Sequence, residues 1–397
     1  MPLSNSEMRY GAVAKTLHWT TALLILTLIP LGMIAEELPY ETSAELATKT
    51  FAFSMHKTLG VAVFFVALIR ILWALTQKKP GLLNADKPLE ATLAETVHWL
   101  LYGSLVLVPL TGWVHHAAVD GYAPIWWPFG QNLPFVAKDA ALSETASVLH
   151  DIFGKVLIVS LILHIAGAVK HHVIDRDATL LRMLPGFPAV PPLPKQHHNI
   201  FAPILALVIW GGVVLAGVAA GAFAHPEQTT NAPALEQADS EWAVQTGQIA
   251  ITVQQMGSAV EGQFQDWTAE IAFDPDAEGP VKGHATVTIS IPSLTLGTVS
   301  DQAMGPDYFD AETYQTAVFD ADLLQTETGH EAQGTLTIKG TSVAATLPFD
   351  LQITGDTATA NGTMTVDRRA FAIGDGMTDE ANLGFNVQIT VALTATR

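Results

Sequence analysis

Five long apolar runs constrain this chain more than any other feature of its sequence. Each is close to the roughly 20 residues with which an α-helix crosses a hydrocarbon layer about 30 Å thick. Only 14 % of the 397 residues are charged, against roughly 25 % in ordinary soluble proteins. The first run begins with His18-Trp19 and has no small-residue cleavage site, so we expect a helix and not a signal peptide. The predicted membrane-spanning helices cover residues 17–35, 57–76, 97–115, 152–169 and 201–223.

Lysine and arginine residues predict how these helices cross the membrane, because such residues concentrate on the cytoplasmic side. With a cytoplasmic N-terminus, the inner segments 1–16, 77–96 and 170–200 hold nine of them, and the outer segments 36–55 and 116–149 hold two. An odd number of helices then places everything after residue 223 outside, which in a bacterial cell is the periplasm. We therefore expect a multi-pass protein of the bacterial inner membrane with a periplasmic C-terminal domain.

The two halves of the chain differ in charge. Residues 1–224 carry 14 acidic and 14 basic residues, whereas residues 225–397 carry 24 and 5, so the whole formal charge of −19 belongs to the second half. Between the two, residues 187–224 are predicted to form a proline-rich cytoplasmic connector, extended over Pro185–Pro194, and the fifth helix. Residues 225–241 are predicted to form a polar periplasmic linker.

From residue 242 onwards the sequence changes to short runs in which Thr and Val alternate with other residues, separated by Gly and Asp. This pattern is typical of antiparallel strands. About eight such strands over residues 242–397 predict an all-β barrel that can hold one small apolar ligand. The clearest runs are Gln248–Val253, His284–Ile291, Gly334–Ile338, Ala344–Leu351, Gly362–Val366 and Asn386–Leu393.

The histidines of the membrane half form pairs by depth. Ionisable residues inside membrane helices are costly and are therefore functional candidates. His150 and His164 are 14 residues apart on one helix, about 21 Å along its axis and about 40° from a whole number of turns, so they share a face. His56 lies at the predicted depth of His150, and His18 lies at that of His164.

The two pairs predict two haem b groups, with His56 and His150 as axial ligands near the outer surface and His18 and His164 near the inner one. The chain has no cysteine, which excludes disulfides, thiolate zinc sites, Cys-bound iron–sulfur clusters and covalently attached haem. A single membrane histidine is more often a hydrogen-bonded packing residue, but four that pair by depth favour haem iron. Surface or quinone-site roles suit the remaining membrane-half histidines considered, which are His98, His115, His116, His171 and His172.

Seven motifs stand out in the membrane half. They are Arg9-Tyr-Gly-Ala-Val-Ala-Lys-Thr-Leu-His-Trp19, Met55-His-Lys-Thr-Leu-Gly60 with Arg70, Leu107-Val-Pro-Leu-Thr-Gly-Trp113, Leu149-His-Asp-Ile-Phe-Gly-Lys155, Leu163-His164, His171-His172 and Thr179-Leu-Leu-Arg-Met-Leu-Pro185. With these motifs, about residues 8–186 resemble the prokaryotic cytochrome b561 family. The resemblance implies a four-helix core with two haems whose ligands correspond to His18, His56, His150 and His164. It also implies electron exchange with ubiquinone and, in characterised members, oxidation of superoxide at the outer haem with reduction of quinone at the inner side.

Five polar residues near the histidine pairs are candidates for secondary roles. Lys57 and Lys155 lie where haem propionates would emerge, and snorkelling of their side chains towards the membrane surface is the alternative. Arg9, Lys15 and His171 are candidates for an inner quinone pocket, where they would hydrogen-bond a carbonyl and relay protons. The alternative for these three is contact with lipid head groups.

The second half also has motifs of its own. They are Gly262-Gln-Phe-Gln-Asp-Trp267, Gly305-Pro-Asp-Tyr-Phe-Asp310, Gly334-Thr-Leu-Thr-Ile-Lys-Gly340, and Thr365-Val-Asp-Arg-Arg369 with Phe371-Ala-Ile-Gly374. With these motifs, residues 242–395 resemble the YceI-like family of periplasmic lipocalin-like barrels, which implies an elongated cavity for a polyisoprenoid, in some members an isoprenoid quinone. Ala303-Met304 departs from the family pattern, in which a basic or polar residue often stands there. We find no catalytic constellation in this half. The candidate cavity residues, for which an ordinary core role is the alternative, are Trp242, Phe264, Trp267, Tyr308, Phe309, Phe349 and Phe371.

The predicted architecture is a membrane four-helix dihaem bundle (residues 1–186) with a fifth transmembrane helix, followed by an antiparallel lipocalin-like β-barrel. The predicted function is electron transfer between ubiquinone and a periplasmic one-electron partner, with superoxide as the leading partner and an isoprenoid or quinone in the barrel. Two alternatives remain open: a quinol-linked reductase of another periplasmic acceptor, and a non-enzymatic lipid carrier or sensor anchored by the haem module. No nucleic-acid partner is expected.

Overall fold

The computed structural model forms two compact units. The first comprises Met1–Glu37, Ala52–Ala118 and Pro124–His225, and the second Leu38–Phe51, Val119–Ala123 and Pro226–Arg397. The extended connector over Pro185–Pro194 and the linker over 225–241 lie mostly outside the described residues. The structure describes residues 2–119, 121, 123–186, 190, 193, 200–224, 235–236, 240–327 and 329–397.

In the part of the chain that the structure describes, five helices are long and apolar enough to cross a membrane, which confirms the predicted set. Each of the first four extends beyond its apolar run, because a helix continues through polar residues at its ends whereas the run marks only the part in hydrocarbon. A five-residue π-helix, His171–Asp175, continues the fourth helix. The helices are α1 (Ala12–Glu37), α2 (Ser43–Thr76), α3 (Pro88–Ala118), α4 (Ala140–Lys170) and α5 (Phe201–Ala219).

Helices α1 to α4 enclose one apolar core to which each contributes. Its buried residues are Ile25, Leu28, Val63, Ala67, Leu105 and Leu157. Helix α5 packs against α3 and α4 through Ala206 and Trp210. The Trp210 ring takes the space beside Gly103, where a Cβ atom would lie 1.8 Å from it. The first unit is therefore a four-helix bundle with a fifth helix fitted to one side.

The second unit is a curled antiparallel half-barrel of ten strands, which confirms the predicted class of fold. The strands follow the order β3-β4-β6-β7-β8-β9-β10-β1-β2-β5, so β3 and β5 are the edges and are not paired with each other. The count exceeds the expected number of about eight, because short strands such as β2 and β5 lack the alternation of Thr and Val. The strands are β1 (Ala243–Gln255), β2 (Ser258–Phe264), β3 (Trp267–Phe273), β4 (Val281–Ser290), β5 (Leu294–Thr295), β6 (Thr316–Thr326), β7 (Gly329–Ile338), β8 (Thr341–Thr354), β9 (Thr357–Asp367) and β10 (Leu383–Thr396). A short helix, α6, covers Ser300–Met304.

A buried arginine organises the loop between β9 and β10. Arg368 is 3 % exposed, and its guanidinium donates to five backbone carbonyls at distances of 2.5–3.2 Å. Because a guanidinium has five N–H donors, every donor of Arg368 has an acceptor. The acceptors are the carbonyl oxygens of Ile373, Gly374, Met377, Leu383 and Gly384.

We predict that Arg368→Met destabilises the half-barrel by about 3 kcal/mol, because it leaves several buried carbonyls without a donor. The neighbouring Arg369 is exposed and pairs with Asp367 at 2.6 Å, so Arg369→Met is a matched control with an expected effect below about 0.5 kcal/mol. Urea unfolding of the full-length protein, followed by protease sensitivity of the C-terminal half, measures both. Equal losses in the two variants would contradict the assignment.

Candidate functional site

His56 and His150 face each other across the bundle. Their ring centroids are 6.5 Å apart. Nδ1 of His56 lies 3.1 Å from the Leu28 carbonyl oxygen, and Nδ1 of His150 lies 2.8 Å from that of Val108. A carbonyl only accepts, so each Nδ1 carries the proton and donates. Each Nε2 therefore keeps a lone pair, which is the arrangement that prepares an imidazole to bind a metal ion.

Two glycines make room for these rings. A Cβ atom at Gly32 would lie 2.8 Å from Cε1 of His56, and one at Gly112 would lie 2.8 Å from Nδ1 of His150. Gly32 is four residues after Leu28 on α1, and Gly112 is four residues after Val108 on α3. The same short pattern on two helices thus supplies both the acceptor carbonyl and the space for one histidine ring.

His18 and His164 form the other pair, with ring centroids 6.1 Å apart. Two imidazoles that bind one metal ion from opposite sides at about 2 Å hold their ring centres about 6 Å apart, so both separations fit a shared metal. At this pair Nη2 of Arg70 donates to Nδ1 of His18 over 3.2 Å and the guanidinium lies over the Tyr102 ring. The His98 ring lies 5.0 Å from that of His164.

The residues predicted for secondary roles have partners of their own. Lys155 forms an exposed ion pair with Asp151 at 2.6 Å. Lys15 is buried, and its ammonium donates to the carbonyls of Leu184 and Gly186. Lys57 follows His56 directly on α2, and Arg9 is exposed just before α1.

His171 is buried at the end of α4, among charged groups that are themselves half-buried. Its Nδ1 is 2.7 Å from Asp177 and 3.2 Å from Asp175, and its Nε2 is 3.4 Å from Glu90. Lys170 adds contacts of 2.8 Å to both Glu90 and Asp175. Burial raises the pKa of Asp177, but hydrogen bonds from Thr179 and His171 outweigh this effect and lower it below its ordinary value.

The half-barrel encloses two chambers that share Ile249, Ile289, Leu336 and Ile389 in their walls. The first holds about 1010 Å³ and the second about 1120 Å³ of space between atoms, their open mouths included. All seven candidate cavity residues line them. Phe264, Tyr308, Phe309 and Phe371 line the first chamber, and Trp242, Trp267 and Phe349 line the second.

The chambers differ in chemistry. The second is lined by apolar side chains and Gly362, whereas the first also has Gln255, Gln302, Tyr308 and Arg368 in its wall. The side-chain amide of Gln302 donates to the Tyr308 hydroxyl over 3.0 Å. Burial raises the pKa of Tyr308, so its hydroxyl keeps its proton. The cavity therefore suits a molecule with a polar end and a long apolar body.

Sequence reasoning missed several residues at these sites. Gly32 and Gly112 could have been found, because Leu28-Ile-Pro-Leu-Gly32 on α1 resembles Val108-Pro-Leu-Thr-Gly112 on α3. The sequence predicts a surface or quinone-site role for His98. Its position beside His164 could not be predicted, because it depends on how α3 packs against α4. Gln255 follows Val253 at period two on β1, so its inward position could also have been predicted.

Comparisons with known proteins agree with both halves of the chain. The prokaryotic cytochrome b561 family matches residues 9–186, and the YceI-like domain family matches residues 242–395. Cytochrome b561 homolog 2 of Escherichia coli (strain K12) is 29 % identical over 185 residues, which are 46 % of this chain and 95 % of that protein. The protein named probable superoxide oxidase CybB of Yersinia pestis is 25 % identical over 178 residues, which are 45 % of this chain and 96 % of that protein.

A solved structure also resembles the second half. The crystal structure of BcnA from Burkholderia cenocepacia is 34 % identical and covers 38 % of this chain and 96 % of its own, with a TM-score of 0.36.

We predict that Gly112→Ala lowers the haem content of the purified protein, because its methyl group takes the space of the His150 ring. Gly211→Ala on α5 is the matched control, since a Cβ atom there meets nothing within 4 Å and α5 carries none of the four histidines. The haem-to-protein ratio, measured by pyridine haemochrome absorbance, is expected to fall in the first variant and stay unchanged in the second. An unchanged ratio in both would show that Gly112 makes no room for a ligand.

Proposed function

Because residues 9–186 belong to the prokaryotic cytochrome b561 family and residues 242–395 form a YceI-like domain, we propose that this membrane electron-transfer protein binds two haem b groups and couples superoxide oxidation to ubiquinone reduction. The observation that carries the proposal is the pair of imidazole pairs, with ring separations of 6.1 and 6.5 Å. They lie at two levels of the bundle, about 21 Å apart along α4. Haem iron supplies the one-electron chemistry that no side chain of this cysteine-free chain provides.

Each pair would hold its haem differently. At His56 and His150 the carbonyls of Leu28 and Val108 fix the tautomer that exposes Nε2. At His18, binding of iron through Nε2 requires the proton on Nδ1, so the Arg70 guanidinium then needs another acceptor. A carboxylate is the acceptor that a guanidinium binds best, and a haem propionate would supply one. Arg70 is thus a stronger candidate for propionate contact than Lys155, which is paired with Asp151.

The overall reaction balances across the membrane. Two superoxide anions lose one electron each and become dioxygen, while one ubiquinone takes up two electrons and two protons. We propose a cytoplasmic N-terminus, supported by the nine inner against two outer basic residues. His171 hydrogen-bonds Asp177 and lies within 3.4 Å of Glu90 and Asp175, and it is the proposed inner group that holds and passes protons. Lys15 and Arg9 remain candidates for contact with the quinone.

We further propose that the periplasmic half-barrel binds an isoprenoid lipid, such as a quinone. The support is the two-chambered apolar cavity with polar groups at one end. The high acidic charge of residues 225–397 favours a cationic electron partner over superoxide. A quinol-linked reductase of another periplasmic acceptor is therefore the second candidate function.

Stopped-flow reduction of the haem by superoxide, with and without a ubiquinone analogue, tests the reaction. We expect superoxide to reduce the wild-type haem and quinone to reoxidise it. His164→Ala is expected to remove one haem and to stop reoxidation by quinone while superoxide still reduces the other. His284→Ala, at an exposed histidine on β4 of the half-barrel, is the matched control with wild-type behaviour. Haem that superoxide leaves oxidised but quinol reduces would support the reductase instead.

Organic extraction of the purified full-length protein, followed by mass spectrometry, tests lipid binding. We expect a prenyl lipid in the extract of the wild type. Ala360→Trp fills the second chamber, whose wall includes Ala360, and should lower the yield, whereas Arg369→Trp on the exposed surface should not. If the extracts of the wild type and of both variants contain no prenyl lipid, this part of the proposal is wrong.

A further inference from the structure

Gln255 is a polar residue at an inward-facing position of the half-barrel. On β1 the buried positions are Ile249, Ile251, Val253 and Gln255, which are 2, 7, 8 and 5 % exposed. Because side chains alternate along a strand, the Gln255 side chain lies on the same face as these three apolar residues and lines the first chamber with them. A glutamine here replaces the apolar residue that the pattern calls for.

The amide oxygen of Gln255 is unsatisfied. Oε1 is buried and has no hydrogen-bond partner among the described residues, and the side chain lines the first chamber. A buried polar atom without a partner is unfavourable, because it has given up its hydrogen bonds to water without replacing them. This cost is avoided when a molecule in the chamber donates a proton to Oε1.

The other polar side chains of the first chamber restrict which head group that molecule can have. Arg368 is the one cationic side chain in the described walls of the two chambers, and its donors are taken by five carbonyls. A carboxylate or phosphate head group would find no cation free to bind it. The Tyr308 hydroxyl, which accepts from Gln302, keeps a proton that it can donate. The polar end therefore suits a neutral head group that both donates and accepts a hydrogen bond.

We propose that Gln255 selects lipids with a hydroxyl head group, whose proton it accepts while the prenyl chain extends into the second chamber. This inference rests on the proposed lipid binding and goes beyond it. It makes the half-barrel a binder of reduced quinol, or of a polyprenyl alcohol, in preference to quinone. Both sources share the hydroxyl group, and the experiment separates them.

Two matched ligand pairs test the inference with the detergent-solubilised full-length protein. Farnesol has one hydroxyl donor that farnesyl methyl ether lacks. Decylubiquinol has two hydroxyl donors that decylubiquinone lacks. Compound retained per protein after gel filtration is measured by mass spectrometry, with empty micelles subtracted. We expect the wild type to retain the hydroxyl member of a pair about tenfold better, which one hydrogen bond to a buried amide can supply.

Two variants assign the preference to Gln255. Gln255→Leu should remove it, whereas Gln254→Leu, at the adjacent exposed position, should keep it. Quinone retained by the cytochrome half is the same in both variants and cancels from their difference. Leucine leaves no unpaired polar atom, so Gln255→Leu should unfold at the same temperature as the lipid-free wild type or at a higher one. That result separates loss of selectivity from misfolding.

The outcomes are distinct. Preference in the quinone pair alone identifies a quinol as the source of the hydroxyl, and preference in the farnesol pair alone identifies a polyprenyl alcohol. Equal retention within both pairs overturns the role of Gln255 and leaves lipid binding intact. If none of the four compounds is retained, lipid binding by the half-barrel is itself wrong, and the inference is wrong with it.

Discussion

A histidine ring inside a membrane-spanning helix needs a partner for each of its nitrogens, because hydrocarbon offers none. At His56 and His150 the protein meets this need on one side with a backbone carbonyl of a neighbouring helix. The contact requires that helix to come close, which Gly32 and Gly112 permit. One ring nitrogen of each histidine, Nε2, remains for the proposed haem iron. The spacing of the bundle and its capacity for haem thus depend on the same few contacts.

The half-barrel shows the same rule with two outcomes. Arg368 is buried and every one of its donors has an acceptor, so it belongs to the framework of the domain. Gln255 is buried nearly as deeply, and its amide oxygen accepts no hydrogen bond from any described residue. The satisfied group holds a loop in place, whereas the unsatisfied one lines a chamber, and we propose that a ligand completes its hydrogen bonding. The contrast separates framework from binding site without any assumption about the lipid.

Much of this architecture could be predicted from the sequence, because it follows from the spacing of residues on a helix and from the alternation of residues along a strand. The 14-residue interval between His150 and His164 fixes a common helix face, and the depth of each apolar run selects a partner for each ring. Alternation along β1 places Ile249 and Ile251 inside. The contact between Arg70 and His18 could not be predicted, because it depends on how α1 and α2 rotate against each other. The short strands β2 and β5 likewise exist through pairing with their neighbours and not through their own composition.

The charge of the second half bears on the proposed substrate superoxide and on the proposed lipid of the half-barrel. The excess of acidic residues after residue 225 repels anions, but at physiological salt this repulsion reaches only about 8 Å from the surface. Superoxide is therefore slowed where it passes within that distance of the half-barrel, and a cationic partner is attracted there. A neutral prenyl alcohol or quinol is not repelled by the acidic surface. Inside the cavity, every donor of Arg368 already has a carbonyl acceptor, so none is left to bind an anion. The same domain thus disfavours anions on its surface and in its cavity, which suits a neutral lipid better than it suits superoxide.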